Sequence, residues 1–323
     1  MSGVAPGAVP PDYPRVRDLG GGVLQIDTGH HGNPGTIAVY AVPLPAGGFA
    51  LVESGPASTR AAVEAGLEEA GLDPADLRYL LVTHIHLDHA AAAGALLAGS
   101  DARLVVHEAG AAHMIDPSRL MASAERVYGD ELEGLWGRMQ PVAAERVRAV
   151  AGGERLDLGG LTVEVIATPG HAKHHVSYLL PDGTLFTGDS AGVRLQGAPV
   201  LRPALPPPDL DLEAWEGSVA RMRAAGPERL VLTHFGPVSG RDAADAHLAA
   251  VLERNRAWAE SVLAGLRAGE DDAALVRRVQ ALEDAELAAA GVLPGLRQRY
   301  KVTSDAAMTV MGVKRYYTKR GVA

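Results

Sequence analysis

The chain has 323 residues, of which 47% are hydrophobic and 21% charged, a globular composition that excludes global disorder. Its formal net charge of −9 excludes a broadly basic nucleic-acid-binding protein. The absence of cysteine excludes disulfides, thiolate metal ligands and cysteine nucleophiles. The N-terminal segment lacks the apolar core of a secretory signal, and no apolar run reaches the roughly 18 residues that span a bilayer. We therefore expect a cytoplasmic protein that binds neither nucleic acid nor a membrane.

A Pro- and Gly-rich arm at residues 1–20 precedes a region in which predicted strands and helices alternate. Short apolar runs between glycine-rich turns predict strands, and apolar residues at helical spacing predict helices. The predicted strands are Val23–Asp27, Thr36–Pro43, Phe49–Glu53, Leu77–Thr83 and Arg103–His107, and the predicted helices are Thr59–Ala70 and Ala90–Leu97. This alternation is typical of an α/β protein.

The rest of the chain contains a helical insertion, more strands and a helical end. Residues 108–150 mix Gly, Met, Arg and Trp at helical spacing, which predicts the insertion. The later predicted elements are strands at Leu161–Ala167, Val176–Leu180, Leu185–Thr187 and Arg229–Thr233, an irregular prolyl loop at Pro199–Asp209, a helix at Leu212–Ala224 and helices from about Asp242, broken at Gly269 and Pro294. We therefore expect a flexible arm at 1–20, one α/β domain at 21–240 and a C-terminal helical extension at 241–323.

The strongest chemical signal is the segment from Thr83 to His89, which reads THIHLDH and follows a predicted strand. It places three imidazoles and one carboxylate within six residues. Ligands two positions apart project together from an extended loop, whereas the adjacent Asp88 and His89 point elsewhere, so one turn can supply two metal ions. Imidazole and carboxylate suit Zn²⁺, Fe or Mn²⁺. A solvated polar loop accounts for a single histidine, but not for four ligand-type residues at this spacing.

Three further predicted strands end just before a ligand-type residue. These residues are His171, Asp189 and His234. The carboxyl ends of strands are where α/β sheets collect their ligands. One such histidine alone would more often be structural. Four strand ends that present seven ligand-type residues together predict a metal centre.

The order HxHxDH, then His, then Asp, then His resembles the metallo-β-lactamase superfamily, over about residues 20–240. The resemblance implies a four-layered αββα sandwich, with the metal site at the edge between its two sheets. It also implies two divalent ions, for which we expect Zn²⁺, with Fe or Mn²⁺ as alternatives. The first ion would be held by His84, His86 and His171. The second would be held by Asp88, His89 and His234, and Asp189 would bridge the two.

Several polar residues have roles that the sequence leaves open. Glu53 begins a Glu-Ser-Gly segment where the family has Asp-Thr-Gly, and that Asp fixes a ligand imidazole. Because Glu is one methylene longer, the partner that Glu53 reaches is open, and the alternative is a charged residue at a strand end with no role at the site. His30 and His31 lie on a glycine-rich loop that either contacts substrate or is plain turn structure. His174 and His175 follow His171 too closely to be independent ligands by the family pattern, and they either support the ligands, contact substrate or have neither role.

Two groups of side chains could shape what the protein binds. We expect four apolar side chains of the insertion to line a substrate pocket: Met114, Met121, Tyr128 and Trp136. The C-terminal tail is basic and carries tyrosines, at Tyr300, Lys301, Lys314, Arg315, Tyr316, Tyr317, Lys319 and Arg320. A solvated or dimer-contacting tail is favoured over one that binds an anion or nucleic acid, which leaves a homo-oligomer open.

The motifs argue against several branches of the superfamily and so limit the reactions that we expect. A bridging Asp189 argues against β-lactam hydrolysis, since it departs from the pattern of the β-lactamase branch. His86 argues against a flavodiiron protein, since it departs from the pattern of that branch. The glutathione-binding signature of glyoxalase II is not found, Gly192 stands where some lactonases have Tyr, and the cysteine motif of persulfide dioxygenases is missing.

We expect a metallohydrolase that acts on an ester, lactone or thioester of a small-molecule substrate. Hydroxide shared by two metal ions would be the nucleophile, with Asp88 and Asp189 as the catalytic carboxylates. The alternatives are a phosphodiesterase, an oxidoreductase with one iron that resembles persulfide dioxygenases, and a metal-binding protein without catalytic activity.

Overall fold

The structure is a computed structural model that describes residues 13–196, 200–292, 299–300, 303 and 305–322. Within these residues the strands form two sheets, the first of seven strands in chain order and the second of six. No helix in the described part of the chain is long and apolar enough to cross a membrane.

The first sheet contains the N-terminal strands. These are β1 Val16–Asp18, β2 Leu24–Asp27, β3 Ala38–Pro43, β4 Phe49–Val52, β5 Leu77–Leu81, β6 Arg103–His107 and β7 Val147–Val150. The sheet is antiparallel from β1 to β4 and parallel from β4 to β7. Parallel neighbours need crossover connections, which helices provide here. The helices are α1 Arg60–Glu69, α2 Leu87–Ala90, α3 Ala93–Leu97, α4 Glu108–Ile115, α5 Ser118–Tyr128 and α6 Leu132–Leu135.

The second sheet contains the later strands. These are β8 Arg155–Asp157, β9 Thr162–Ala167, β10 Val176–Leu179, β11 Thr184–Phe186, β12 Arg229–Leu232 and β13 Gly236–Ser239. They lie in the order β13-β12-β11-β10-β9-β8 and are antiparallel except for the pair β11 and β12. Helix α7, Leu212–Ala224, connects the parallel pair. Beyond β13 lie α8 Arg241–Arg267, α9 Asp272–Ala289 and the last described helix, Ala306–Lys319.

Side chains that alternate along the strands separate the molecule into layers. Leu80 of β5 belongs to an apolar core with α1, whereas its neighbour Leu81 lies in the core between the sheets. In the second sheet, Phe186 faces the first sheet while Leu185 packs in a third core with α7 and α8. The rings of Tyr40 and Phe186 meet across the middle core at 5.5 Å. This arrangement confirms the predicted αββα sandwich.

Some elements differ from the sequence predictions. Val16–Asp18 pairs with β2, so this part of the predicted flexible arm is a strand. In the predicted helical insertion the last helix ends at Leu135. Its final residues, Val147–Val150, form a strand that extends the first sheet as β7. These strands have three or four residues each, too few to show a period in the sequence. Residues 1–12 and the predicted break at Pro294 lie outside the described residues.

Candidate metal centre

All seven predicted ligand residues lie at strand ends that meet at one edge of the sandwich. His84 and His86 follow β5 in the first sheet, and Asp88 and His89 lie in α2 directly after them. The other three follow strands of the second sheet: His171 after β9, Asp189 after β11 and His234 after β12. The structure therefore brings together side chains from both sheets.

The first ligand group consists of His84, His86 and His171. The Nε2 atom of His84 and that of His171 each lie 2.9 Å from Nδ1 of His86. The opposite nitrogen of His171, Nδ1, donates a hydrogen bond to the Ala204 carbonyl oxygen at 2.9 Å. Its Nε2 atom therefore keeps a lone pair directed into the group. These three ring nitrogens are close enough to share one ion.

The second ligand group consists of Asp88, His89 and His234. Oδ2 of Asp88 lies 3.2 Å from Nε2 of His234 and 3.5 Å from Nε2 of His89. Nδ1 of His234 donates to the Thr36 carbonyl oxygen at 2.9 Å, and Nδ1 of His89 donates to a carboxylate oxygen of Glu53 at 3.0 Å. Nε2 of each imidazole therefore faces Asp88 and is the atom that could coordinate an ion after losing its proton.

Asp189 lies between the two groups and presents one carboxylate oxygen to each. Its Oδ1 atom is 3.3 Å from Nε2 of His89 and 3.4 Å from Nε2 of His234, and its Oδ2 atom is 3.4 Å from Nε2 of His171. Its backbone N–H donates to Nε2 of His175 at 3.2 Å. This geometry is what a bridging carboxylate requires.

The charges in the site suit a divalent cation. Burial lowers the pKa of His84, His86 and His171, so their imidazoles are neutral. Burial also opposes ionisation of Asp88 and Asp189, but His89 and His234 outweigh it and lower the pKa of both carboxyl groups. The two carboxylates in turn raise the pKa of His89 and His234 against the effect of burial, so an ion that binds there would displace a proton from these imidazoles.

An ion-binding role also accounts for ligand atoms that have no other partner. His89 Nε2, His234 Nε2 and Asp189 Oδ1 are buried and have no hydrogen-bond partner among the described residues. A buried polar atom without a partner costs about 1–3 kcal/mol. Nitrogen and carboxylate oxygen are the ligands that Zn²⁺, Fe and Mn²⁺ accept. The residues present therefore fit two divalent ions.

Glu53, whose partner the sequence leaves open, is buried against His89. Its Oε1 atom accepts hydrogen bonds from His89 Nδ1 at 3.0 Å, Thr83 Oγ1 at 2.6 Å and Thr233 Oγ1 at 3.0 Å. Its Oε2 atom accepts from the Thr83 backbone N–H at 3.2 Å. One carboxylate thus fixes a ligand imidazole and the starts of two ligand loops. The roles of Thr83 and Thr233 are not predicted from sequence, although a Thr-His pair recurs at both strand ends.

His175, in the segment between β9 and β10, supports the bridging residue Asp189. Its Nδ1 atom lies 2.8 Å from Thr168 Oγ1 and 3.0 Å from Ser190 Oγ, while its Nε2 atom accepts the backbone N–H of Asp189. The His175 imidazole therefore holds the backbone N–H of Asp189 in place.

His174 lies beside the first group, with its ring stacked on His84 at 6.2 Å and edge-on to His86 at 5.7 Å.

The four side chains predicted to line a pocket pack in the apolar core of the first sheet, the packing alternative to a wall: Met114, Met121 and Trp136 are buried in it, and the partly buried Tyr128 packs against it. Trp136 also stacks on His30, with ring centroids 5.1 Å apart, and meets the edge of Tyr128 at 5.7 Å.

The described residues of the basic tail pair within the chain. Lys314 Nζ lies 2.6 Å from Asp272 Oδ1, and Arg320 contacts Glu213 Oε2 at 2.6 Å. The Tyr316 hydroxyl donates to the same Glu213 carboxylate at 2.8 Å. Lys301 lies outside the described residues.

The chain is similar to known proteins along this part of its sequence. The sequence pattern of the Metallo-beta-lactamase superfamily matches residues 20–234. A metallo-beta-lactamase fold-containing protein of Sulfurisphaera tokodaii is 36% identical over 166 residues, which are 50% of this chain and 62% of that protein. The hydroxyacylglutathione hydrolase of Acidiphilium cryptum is 33% identical over 182 residues, which are 55% of this chain and 56% of that protein. The chain therefore spans less than two thirds of these relatives.

Solved structures show the same fold. An archaeal metallo-beta-lactamase superfamily protein from Sulfolobus tokodaii superimposes with a TM-score of 0.59 at 30% identity, covering 71% of this chain and 85% of that one. A metallo-beta-lactamase family protein from Thermus thermophilus has a TM-score of 0.61 at 21% identity, covering 88% of this chain and 89% of that one. At this identity the likeness shows only that the two proteins share a fold. By sequence pattern and by fold, the chain belongs to the metallo-beta-lactamase superfamily.

Proposed function

We propose that this protein hydrolyses an ester, lactone or thioester bond of a small molecule with the help of two Zn²⁺ ions, for which Fe or Mn²⁺ are the alternatives. The observation that carries the proposal is the position of Asp189, which presents one oxygen to each ligand group. Such a site suits two ions rather than one. When bound, the ions would lower the pKa of a shared water and polarise the scissile carbonyl.

The residues of the site have different roles in the proposed reaction. The first group would hold one ion through three neutral imidazoles, and Asp189 would set the separation of the two ions. Glu53 fixes His89, and His175 fixes Asp189, so the ligands are held before substrate arrives. The Asp88 side chain is 16% exposed, which places a carboxylate oxygen within reach of the attacking water. Asp88 would orient this water and accept its proton.

The relatives favour an acyl bond with a stable leaving group. The Acidiphilium cryptum relative is named a hydroxyacylglutathione hydrolase, which supports a thioester or ester as substrate. Alkoxide and thiolate leaving groups can be stabilised by a positive charge. An amide nitrogen must instead receive a proton, and the described residues of the site include no dedicated donor beyond Asp88. We therefore propose acyl–oxygen or acyl–sulfur cleavage rather than β-lactam hydrolysis.

The test combines metal analysis with a substrate panel. We expect about two ions per chain in protein purified without a tag or reloaded with Zn²⁺, Mn²⁺ or Fe²⁺. The panel contains an ester, a lactone, a thioester, a phosphodiester and nitrocefin, and we expect turnover of at least one of the first three. Metal content that never exceeds one ion per chain would contradict the two-ion site. Turnover of nitrocefin or the phosphodiester alone would overturn the proposed reaction.

A further inference from the structure

The Ala204 carbonyl oxygen fixes the ligand His171, and it lies in a loop that is rich in proline. Nδ1 of His171 donates to this oxygen at 2.9 Å, which aims the opposite nitrogen, Nε2, at the first ligand group. The prolines of this loop have no N–H to donate, and they are Pro203, Pro206, Pro207 and Pro208. The position of the Ala204 carbonyl therefore depends on contacts that other elements make with the loop.

Arg202 anchors the loop two residues before Ala204. Its side chain is fully buried, and its Nη1 atom lies 3.1 Å from Oε1 of the buried Glu283 on α9. The backbone of Arg202 pairs with Val193, and each N–H donates to the other carbonyl oxygen at 2.8 Å. Arg202 therefore joins the loop to α9 on one side and to the segment after the bridging carboxylate on the other.

The ion pair belongs to a set of contacts that hold this stretch in one place. The Arg202 guanidinium carbon lies over the Tyr300 ring, 4.0 Å from its centroid, and the Tyr300 hydroxyl donates to the Val200 carbonyl oxygen at 2.8 Å. A buried ion pair is weak evidence for stability, because apolar side chains of similar volume often give a fold that is equally or more stable. The position of the loop is therefore the better explanation for the charges of Arg202 and Glu283.

Gly312 holds the loop on the other side of Ala204. It is buried in the last described helix, Ala306–Lys319, where an added Cβ atom would overlap the Leu205 carbonyl oxygen. Glycine inside a helix is less favourable than Ala, so its presence here reflects how closely the helix backbone approaches the loop. The Ala204 carbonyl thus lies between two points that C-terminal helices hold.

We propose that Arg202, Glu283 and Gly312 are positioning residues of the metal centre. They hold the Ala204 carbonyl where it accepts the hydrogen bond from His171, and through that imidazole they set the affinity for the first ion. This inference rests on the proposed two-ion site, and it gives the C-terminal helices a part in that site.

The second ligand group has acceptors in another part of the fold. His234 donates to the Thr36 carbonyl oxygen, and His89 donates to the Glu53 carboxylate. Thr36 precedes β3 and Glu53 follows β4, so both acceptors lie next to strands of the first sheet. The three positioning residues should therefore affect the first ion more than the second.

The first test moves the loop with Gly312→Ala and measures Zn²⁺ binding at each ligand group separately, by competition with a chelator. His234→Ala disables the second group and His84→Ala the first, so each of these full-length parent proteins reports on one ion. Ala favours a helix more than Gly does, so the substitution acts on the loop rather than on the helix. The matched control is Gly217→Ala on α7, where an added Cβ would lie 3.4 Å from Nη1 of the flexible Arg221 side chain.

Gly312→Ala should raise Kd for Zn²⁺ at least about tenfold at the first group and less than about twofold at the second. Gly217→Ala should change neither. Equal changes at both groups, or no change at the first, would overturn the proposal. A His234→Ala protein that binds no Zn²⁺ would refute the proposed two-ion site, and this inference with it.

The second test removes the ion pair. Arg202→Met alone would leave the Glu283 charge buried and unpaired, so the variant combines Arg202→Met with Glu283→Leu and buries no charge. The control combines Lys314→Gln with Asp272→Asn, which removes an exposed ion pair between α9 and the last described helix.

The readouts are Zn²⁺ affinity at the first group and the exchange of imidazole protons with water, followed by NMR in the Zn²⁺-loaded protein. In the Arg202 and Glu283 variant, Kd should rise at the first group, and the Nδ1 proton of His171 should exchange at least about tenfold faster because its acceptor is no longer fixed. The Nδ1 proton of His234 should not change, and the control variant should match the wild-type protein. Unchanged binding would overturn the role of the ion pair, and weaker binding without faster exchange would contradict the link through Ala204.

Discussion

At the scale of single residues, Glu53 shows how one buried carboxylate organises a metal centre. It accepts hydrogen bonds from Thr83, His89 and Thr233, which belong to the two ligand loops of β5 and β12 and to α2 between β5 and β6. Its own φ of 67° lies in the left-handed region, an uncommon conformation for a side chain other than glycine. Local strain at this residue is therefore compensated by the contacts that it makes.

Replacing Glu53 with Gln keeps the size of the side chain and removes its charge. We expect the second ion to bind about 10- to 100-fold more weakly, because the His89 imidazole loses the carboxylate that orients it. The first ion should be affected less, since Glu53 reaches its ligand His84 only through the Thr83 hydroxyl. Metal content is measured after dialysis against increasing chelator, with Glu64→Gln, a partly exposed side chain on α1, as control. Loss of both ions in parallel would contradict this role.

Asp189 provides a second prediction at this scale. Asp189→Ala removes the carboxylate that faces both ligand groups, so the separation of the ions is no longer fixed. We expect kcat to fall at least about 10²-fold and the second ion to leave more readily than the first, which keeps its three imidazoles. Kinetics and metal analysis of the same preparation test both parts. A variant that retains two ions and near-normal kcat would show that Asp189 does not act as a bridge.

At the scale of elements, the loop between β2 and β3 depends on Asp27. Burial raises the pKa of Asp27 to about 6, although the backbone N–H groups of Gly29 and Gly35 and the charges of Arg299 and Arg15 act in the opposite direction. The folded protein therefore holds the Asp27 proton more tightly than the unfolded chain does.

This difference predicts the sign of a pH effect. As the pH rises from about 4 to about 6, the folded state must give up a proton that the unfolded chain has already lost, so the Asp27 contribution to the free energy of unfolding falls. Above about pH 6 it is constant. Asp27→Asn removes the titration, so wild-type stability relative to the variant should fall over this window and then level off. Denaturant unfolding of both proteins at several pH values measures it, and a difference that does not change with pH would contradict it.

The elements also show how far the sequence determines the structure. The longer strands and the ligand loops are predictable because apolar runs end in motifs with strict spacing. Strands such as β1 and β7 are too short to show a period and form because a neighbouring strand offers hydrogen bonds. The partner of Glu53 and the burial of His30 under Trp136 depend on residues far apart in the chain. Tertiary packing sets such contacts, and a single sequence does not display it.

At the scale of the whole molecule, the metal centre joins the two sheets. The Tyr178 hydroxyl of the second sheet donates to the Val82 carbonyl oxygen at 2.9 Å, directly before the ligand loop of β5. In the other direction, the Tyr40 hydroxyl of the first sheet donates to the Leu232 carbonyl oxygen, directly before the loop of His234. Hydrogen bonds between the sheets therefore lie next to the ligands, and the geometry of the site depends on how the sheets pack.

Metal binding should consequently stabilise the whole fold. An ion that binds only the folded state adds about 2.7 kcal/mol to the free energy of unfolding when its concentration is about 100 times Kd. For a chain of 323 residues we expect Tm to rise by a few degrees when chelator-treated protein is reloaded with Zn²⁺. His84→Ala should reduce this rise, because it removes a ligand of the first group. His113→Ala, which changes a partly exposed histidine of α4 outside both ligand groups, should retain it. Equal Tm values with and without Zn²⁺ in the wild-type protein would show that the ligand groups do not couple the two sheets through bound metal.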